Sequence, residues 1–324
     1  MSALLERLGV ELPVVQAGMG GGISRHELAA AVSEAGGLGT LGILPPPQLE
    51  AELHAARGLT GMPIAVNLLL PFARSEHRRV AARADAVVTF WGKPKRPCDG
   101  VWVHQCGSVE EAVASREAGA DAVIAQGVEA GGHVRGEVPA LELLERIREA
   151  LPAGYPVLVA GGIADRPDLQ RALDAGAEAA VSGTAFVLSE ESRAHPEYKR
   201  RLMEAGSTRL TELFGLGWPA APHRVVPNAV TDRWIAGDRR DPRWVRAVNR
   251  VLSPLVGRSP AGLQARLAAR QAPWLPLLSP QPPTDDGPKN LVESGPLYAG
   301  ETVLRLAEIR PAAEIVSTLG GNRL

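Results

Sequence analysis

The stretch REAGADAVIAQG (116–127) holds a helix end, an Ala-Gly stop and then a short run of small apolar residues. The same grammar recurs in SEAGGLGTLG (33–42) and in LDAGAEAAVSG (173–183). A glycine just past the last turn is a common way for a helix to stop, and a bounded apolar run behind it reads as a buried strand. Working outward from these copies, eight such runs appear: PVVQAG (13–18), LGTLG (38–42), PIAVNLLL (63–70), AVVTFWG (86–92), VWVHQCG (101–107), AVIAQG (122–127), VLVAGG (157–162) and AAVSGT (179–184). Segments between them carry helix spacing, and Ser24 and Ser108 stand where N-caps are expected. Apolar strands alternating with helices pair in parallel, covered on both faces. Eight units predict an α/β fold, a (β/α)8 TIM barrel over residues 1–190. After the fourth strand, KPKRPCDG (93–100) is too short and too Pro-rich for a full helix, which leaves a doubly wound open sheet as the alternative.

Beyond residue 190 the strand pattern stops, and the reading for 191–324 is a C-terminal helical extension covering one end of the barrel. HPEYKRRLMEAG (195–206), DPRWVRAVNRVLSPL (241–255) and PAGLQARLAARQ (260–271) read as helices, 271–290 as a Pro-rich loop, and ETVLRLAEI (301–309) with AAEIVSTL (312–319) as closing helices.

A chain of 324 residues that is 45% hydrophobic can bury a large core. Its formal net charge of −1 predicts no general attraction to nucleic acid or to an anionic membrane. Cys98 and Cys106 are too few for a disulfide framework and fit a reducing compartment. The N-terminus shows no signal-peptide pattern and no run reaches membrane-spanning length, so a cytoplasmic protein is expected.

In such barrels the active site lies at the C-terminal strand ends, with phosphate groups bound after strands seven and eight. Those ends are AGGIAD (160–165) and SGTAF (182–186), where Gly161, Gly162 and Gly183 free backbone N–H groups and Thr184 adds a hydroxyl. Either loop alone could be mere strand punctuation. Met19 and Gly20 follow the first strand, Asn67 interrupts the third, and Gln126 ends the sixth. Glycines for close approach, amides for ring edges and a thioether for a ring face would suit a planar cofactor with a phosphate tail. His133 follows a Gly-Gly pair in AQGVEAGGH (125–133), which points to a proton-transfer role; a loop-capping histidine is the alternative. His104, inside a strand, reads as structural, and His26 and His195 as solvent-facing.

The segments PVVQAGMGGGISRHELAAAVSEAGGLGTLG, AVNLLLPF, AVIAQGVEAGGH, VAGGIAD and SGTAF, in that order, resemble the nitronate monooxygenase (2-nitropropane dioxygenase-like) family of FMN-dependent barrels. A weaker echo is PLYAGETV (296–303). The resemblance implies FMN contacts from Asn67, Gln126, Gly131, the Gly161–Gly162 pair and the stretch Val181, Ser182, Gly183 and Thr184, with His133 as catalytic base. It also implies a nitronate or nitroalkane as small-molecule substrate, O2 as co-substrate, and a carbonyl compound and nitrite as products. Gly18 and Gly20 stand where the family usually has Pro and Ala, and Ala185 where it usually has Arg. Alternatives are an FMN- and NAD(P)H-dependent reductase of the enoyl-acyl-carrier-protein or quinone type, a flavin-binding barrel without catalysis, or a phosphate-ligand barrel with no flavin. The oligomeric state is left open, with a homodimer among the options.

Overall fold

The computed structural model describes residues 3–235, 241–257 and 266–321. All eight expected strands form: β1 (Val14–Gln16), β2 (Gly39–Leu41), β3 (Ile64–Leu69), β4 (Ala86–Phe90), β5 (Val101–Cys106), β6 (Ala122–Gln126), β8 (Val157–Ala160) and β9 (Ala180–Ser182). They pair in parallel in the order β1-β9-β8-β6-β5-β4-β3-β2. A parallel bridge from Val15 to Leu38 joins the first and last members, with Gln16 N–H on the Leu38 carbonyl at 3.0 Å and Leu38 N–H on the Val14 carbonyl at 2.9 Å. That bridge closes the sheet into a barrel and removes the open-sheet alternative. Between β4 and β5 there is neither helix nor strand, as KPKRPCDG led one to expect.

The three sequence copies close their helices alike. After α2 (His26–Glu34), α5 (Val109–Glu117) and α7 (Arg166–Asp174), the residue two past the C-cap reaches back five residues: Gly37 N–H to Val32 O, Ala120 to Ser115 and Ala177 to Ala172, at 3.1, 3.0 and 2.9 Å. This is a Schellman closure, and it sets the entry of each following strand. Ser108 caps α5 by accepting from Glu111 N–H. Ser24 does not cap α2, whose N-cap is Arg25. Its hydroxyl turns inward instead, accepting from Gln16 Nε2 at 2.9 Å and Met19 N–H at 3.1 Å. The turn after β1 needs that tie more than the helix does, because the Glu52 carboxylate accepts the His26 N–H at 2.9 Å.

Strand alternation sorts the side chains. Ile64, Val66 and Leu68 of β3 face the outer helices, whereas Ala65 joins Val15, Val88, Ile124, Leu158 and Val181 inside the barrel. α1 (Ala3–Leu8) plugs the lower end with Leu4, Leu5 and Leu8. Above that apolar plug the next inward residues include Asn67 and Gln126, so the cavity can begin only at the C-terminal strand ends.

Beyond residue 190, the expected helices at 195–206 and 241–255 appear as α9 (Pro196–Met203) and α11 (Arg243–Gly257). Residues 260–265 of the expected helix at 260–271 lie outside the described residues, and 266–269 are helical. ETVLRLAEI forms a 3-10 helix over Glu301–Arg305 only. Unannounced by the pattern are three short strands, β10 (Arg209–Thr211), β11 (His223–Val226) and β12 (Leu297–Tyr298), which form a sheet with β7 (Gly132–His133). They are too short to show periodicity, and β11 pairs with β7 and β12 across long stretches of chain. The closing helix Ala312–Gly320 buries Ala312, Ile315, Val316 and Leu319 against α2 and α7, in the outer layer of the barrel. α8 (Thr184–Val187) has only four residues, so the chain end supplies the cover that a full eighth helix would give. No helix among the described residues is long and apolar enough to cross a membrane.

Candidate active site

A cavity of about 490 Å³ opens at the C-terminal strand ends, within the size range of small-molecule sites. Met19, Gly20, Asn67, Gln126, Gly131, His133, Gly161, Gly162, Val181, Ser182, Gly183 and Thr184 all line it. The fold therefore gathers all twelve residues read from the sequence as cofactor or catalytic candidates into one space.

On one side lie the two glycine loops. Gly161 (φ 115°) and Gly162 (φ 75°) occupy backbone regions closed to most side chains, which turns the loop back on itself after β8. Asp168, buried on α7, holds that loop by accepting Ala164 N–H at 2.8 Å. Arg305 joins Asp168 at 2.6 Å and also donates to the Gly162 carbonyl at 3.3 Å. Thr184 Oγ1 accepts Gly300 N–H at 2.9 Å, so its own proton stays available for a ligand.

On the other side stands His133, placed by long-range pairing. β7 and β11 are antiparallel with His133 opposite His223 and Gly132 opposite Arg224. Gln126 clasps the same segment: its Nε2 donates to the His133 carbonyl at 2.9 Å and its Oε1 accepts Arg135 N–H at 3.0 Å. The buried Arg224 guanidinium donates to the Val128 carbonyl at 2.7 Å. At Gly131 the chain 299–300 crosses so closely that a Cβ there would meet Gly300 N at 2.4 Å. That crossing explains the PLYAGETV echo, since the segment ties the His133 turn to Thr184.

The His133 ring stacks on Trp218 at 3.8 Å between centroids and meets His223 at 5.2 Å and Tyr298 at 5.5 Å. Its Nε2 is buried without a hydrogen-bond partner. Burial, and secondarily His223, hold the imidazole well below the ordinary histidine pKa. The ring is thus neutral at physiological pH, with a lone pair free to take a proton. His223 is fixed by Phe214 N–H at 3.4 Å and the Ala221 carbonyl at 2.9 Å, and burial pushes it down to about 4.

The other histidines are engaged elsewhere. His104 Nδ1 lies 2.7 Å from Thr89 Oγ1, which accepts Trp102 Nε1–H at 2.7 Å, and burial lowers its pKa to about 4. His26 is not a free surface residue: its Nδ1 sits 2.6 Å from Glu52. Nor is His195, whose Nδ1 accepts Glu197 N–H as the N-cap of α9. Trp218, Phe72, Tyr298 and Thr40 also line the cavity and were not anticipated. Thr40 lies in the expected strand LGTLG, Phe72 ends AVNLLLPF and Tyr298 lies in PLYAGETV, but nothing in those runs says which side chain reaches the cavity, and the segment around Trp218 carries no local signal.

The family model described as Nitronate monooxygenase matches residues 1–96 and 93–236. A nitronate monooxygenase of Pseudomonas aeruginosa is 34% identical, over 68% of this chain and 80% of its own. A (3aS,4S,5R,7aS)-5-hydroxy-7a-methyl-1-oxo-octahydro-1H-indene-4-carboxyl-CoA dehydrogenase of Mycobacterium tuberculosis is 32% identical, over 73% and 69%. Among solved structures, a nitroalkane oxidase from Streptomyces ansochromogenes superposes with a TM-score of 0.75 and 30% identity, covering 98% of this chain and 96% of that one. The chain belongs to the nitronate monooxygenase family of flavin-dependent oxidoreductases.

Proposed function

We propose that the cavity binds FMN and that the protein oxidises nitroalkanes, through their nitronates, with O2 to a carbonyl compound and nitrite. The observation that carries this reading is His133: a neutral imidazole with an unpartnered, buried Nε2, held in the same cavity as two glycine loops. Two more buried polar atoms without partners, Thr40 Oγ1 and Glu129 Oε2, belong to the same lining. Unpartnered buried polar atoms are costly, so three in one cavity fit a bound polar ligand.

In this reading Gly161–Gly162 and Gly183–Thr184 hold the phosphate through backbone N–H groups and the Thr184 hydroxyl. Met19, Gly20, Asn67, Gly131, Val181 and Ser182 line the rest of the cofactor, and Gln126 serves by fixing the His133 turn. Bound FMN supplies an electron acceptor for the nitronate, and O2 completes the turnover. His133 removes the α-proton of a neutral nitroalkane, a contribution worth about 10²- to 10⁴-fold. The Trp218 stack and the Gln126 clasp keep the imidazole oriented, and the aromatic wall excludes water from it.

Two measurements test this. Heat-released cofactor should chromatograph as FMN; FAD or no flavin would contradict it. Anaerobic mixing with a nitronate should bleach the flavin, whereas bleaching only by NADPH would favour the reductase reading.

A further inference from the structure

The side of the cavity around His133 is walled by aromatic rings. Trp218 stacks on His133, and Phe72 meets Trp218 edge-on at 5.1 Å. Phe90, Leu69 and Leu216 continue the lining. Behind them Trp91 braces Trp218 at 5.1 Å, and to do so its backbone adopts φ 66°. A tryptophan in the left-handed region is strained, and such strain persists where the surroundings enforce a side-chain position. Trp91 lies in the connection that lacks a helix, so this loop serves the wall and not the barrel's outer layer.

Charge is the second observation. No lysine or arginine among the described residues lines the cavity, and Glu129 is the one charged side chain there. Arg135, two residues past His133, is turned away: it pairs with Glu111 and lies 4.9 Å over the Trp91 ring. On the aromatic side, away from the N–H groups of the glycine loops, a carboxylate on the substrate would lose its hydration with no cation to replace it. An uncharged ring would instead find edges and faces to pack on.

Resting on the nitronate reading, we propose that this pocket selects nitro compounds carrying a bulky apolar substituent, aromatic above all, gripped by Phe72 and Trp218. Compounds with a second, anionic group are rejected. Phe72, 38% exposed, forms the rim that such a substituent meets first.

The test uses the flavin-loaded protein as purified. Nitrobenzene has no α C–H and cannot become a nitronate, so its binding, read from the flavin spectrum, reports the pocket apart from turnover. It should bind at least about tenfold more tightly than 4-nitrobenzoate, a difference of about 1.4 kcal/mol. Both ligands carry the ring, so Phe72→Ala should weaken both by about tenfold and Phe72→Leu by less, with the ratio between them kept. In turnover, kcat/KM for 1-nitro-2-phenylethane should exceed that for nitroethane by about tenfold or more, mainly through KM. A nitroalkane ending in a carboxylate should be the poorest substrate. Turnover of nitroethane with no preference for the phenyl compound, or tighter binding of 4-nitrobenzoate, overturns the pocket proposal and leaves the nitronate reading standing. Selective nitrobenzene binding with no turnover of any nitro compound supports the pocket and overturns the nitronate reading.

Discussion

On the glycine side of the cavity, residues 161–164 and 183–184 present main-chain groups that sit at the ends of β8 and β9, next to one another in a parallel barrel. On the aromatic side, His133, His223 and Tyr298 come from segments far apart in sequence, joined through the β7–β11–β12 pairings, and Trp218, Phe72 and Trp91 close on them through ring contacts. The first surface depends on local backbone geometry, and the second on side chains that a separate small sheet brings together. Anion binding needs only N–H groups, which any well-placed turn can offer. Proton abstraction needs one desolvated imidazole in one orientation, which only extensive packing secures.

If that contrast is right, acid should weaken the aromatic side through His223 and His133, with His104 in the barrel wall adding to the loss, and this is the largest effect expected. Burial lowers His104 and His223 to about 4. The unfolded chain then takes up protons that the native state refuses, so stability falls as pH drops below about 6.5 toward 4. Each group should cost about 2 kcal/mol at pH 5 relative to pH 8, with His133 adding in the same direction. Urea unfolding at the two pH values measures the loss; equal stability would mean that these rings are not held neutral.

Next in size is His133→Asn. It should lower kcat/KM on a neutral nitroalkane by about 10²-fold or more, at least about 2.7 kcal/mol, yet affect the preformed nitronate much less. Equal losses on both substrates would reduce His133 to a packing residue.

The glycine side is probed by Gly183→Val. A Cβ at Gly183 would meet only Ala17 Cβ at 3.5 Å, an ordinary contact, and Gly183 has φ −112°. The protein itself leaves room for the first carbon, so a flavin affinity weakened by about tenfold or more, roughly 1.4 kcal/mol, would come from the ligand. Gly162→Val is less clean, because φ 75° adds backbone strain of about 1–3 kcal/mol. Full flavin occupancy in Gly183→Val would make that loop strand punctuation.

The smallest effect sets the background. Ser108→Ala removes the α5 cap, which lines neither wall and reaches Trp91 only through Glu111 and Arg135, and should cost about 1 kcal/mol of stability with flavin content and kcat unchanged. A change in kcat would show that the outer helices and the cavity are coupled.

All eight barrel strands, the missing fourth helix and the lining role of Asn67, Gln126, the glycines and His133 were legible, because each rests on local rules: alternation, Ala-Gly stops and strand-end position. Ser24 shows where local rules fail. Its spacing from the helix matched an N-cap, but a hydroxyl can serve either the helix or the turn beside it, and here the buried Gln16 won the competition.

From its own pattern the sequence determined which residues face inward and at which barrel end a site could open, since strand period and helix stops act over a few residues. Tertiary structure alone decided that His133 lies opposite His223, that Trp218 stacks on it, and that the chain end supplies the missing outer helix. Those contacts join residues up to hundreds of positions apart through strands of two to four residues, too short to reveal a partner. What selects them is the burial available only once the barrel exists.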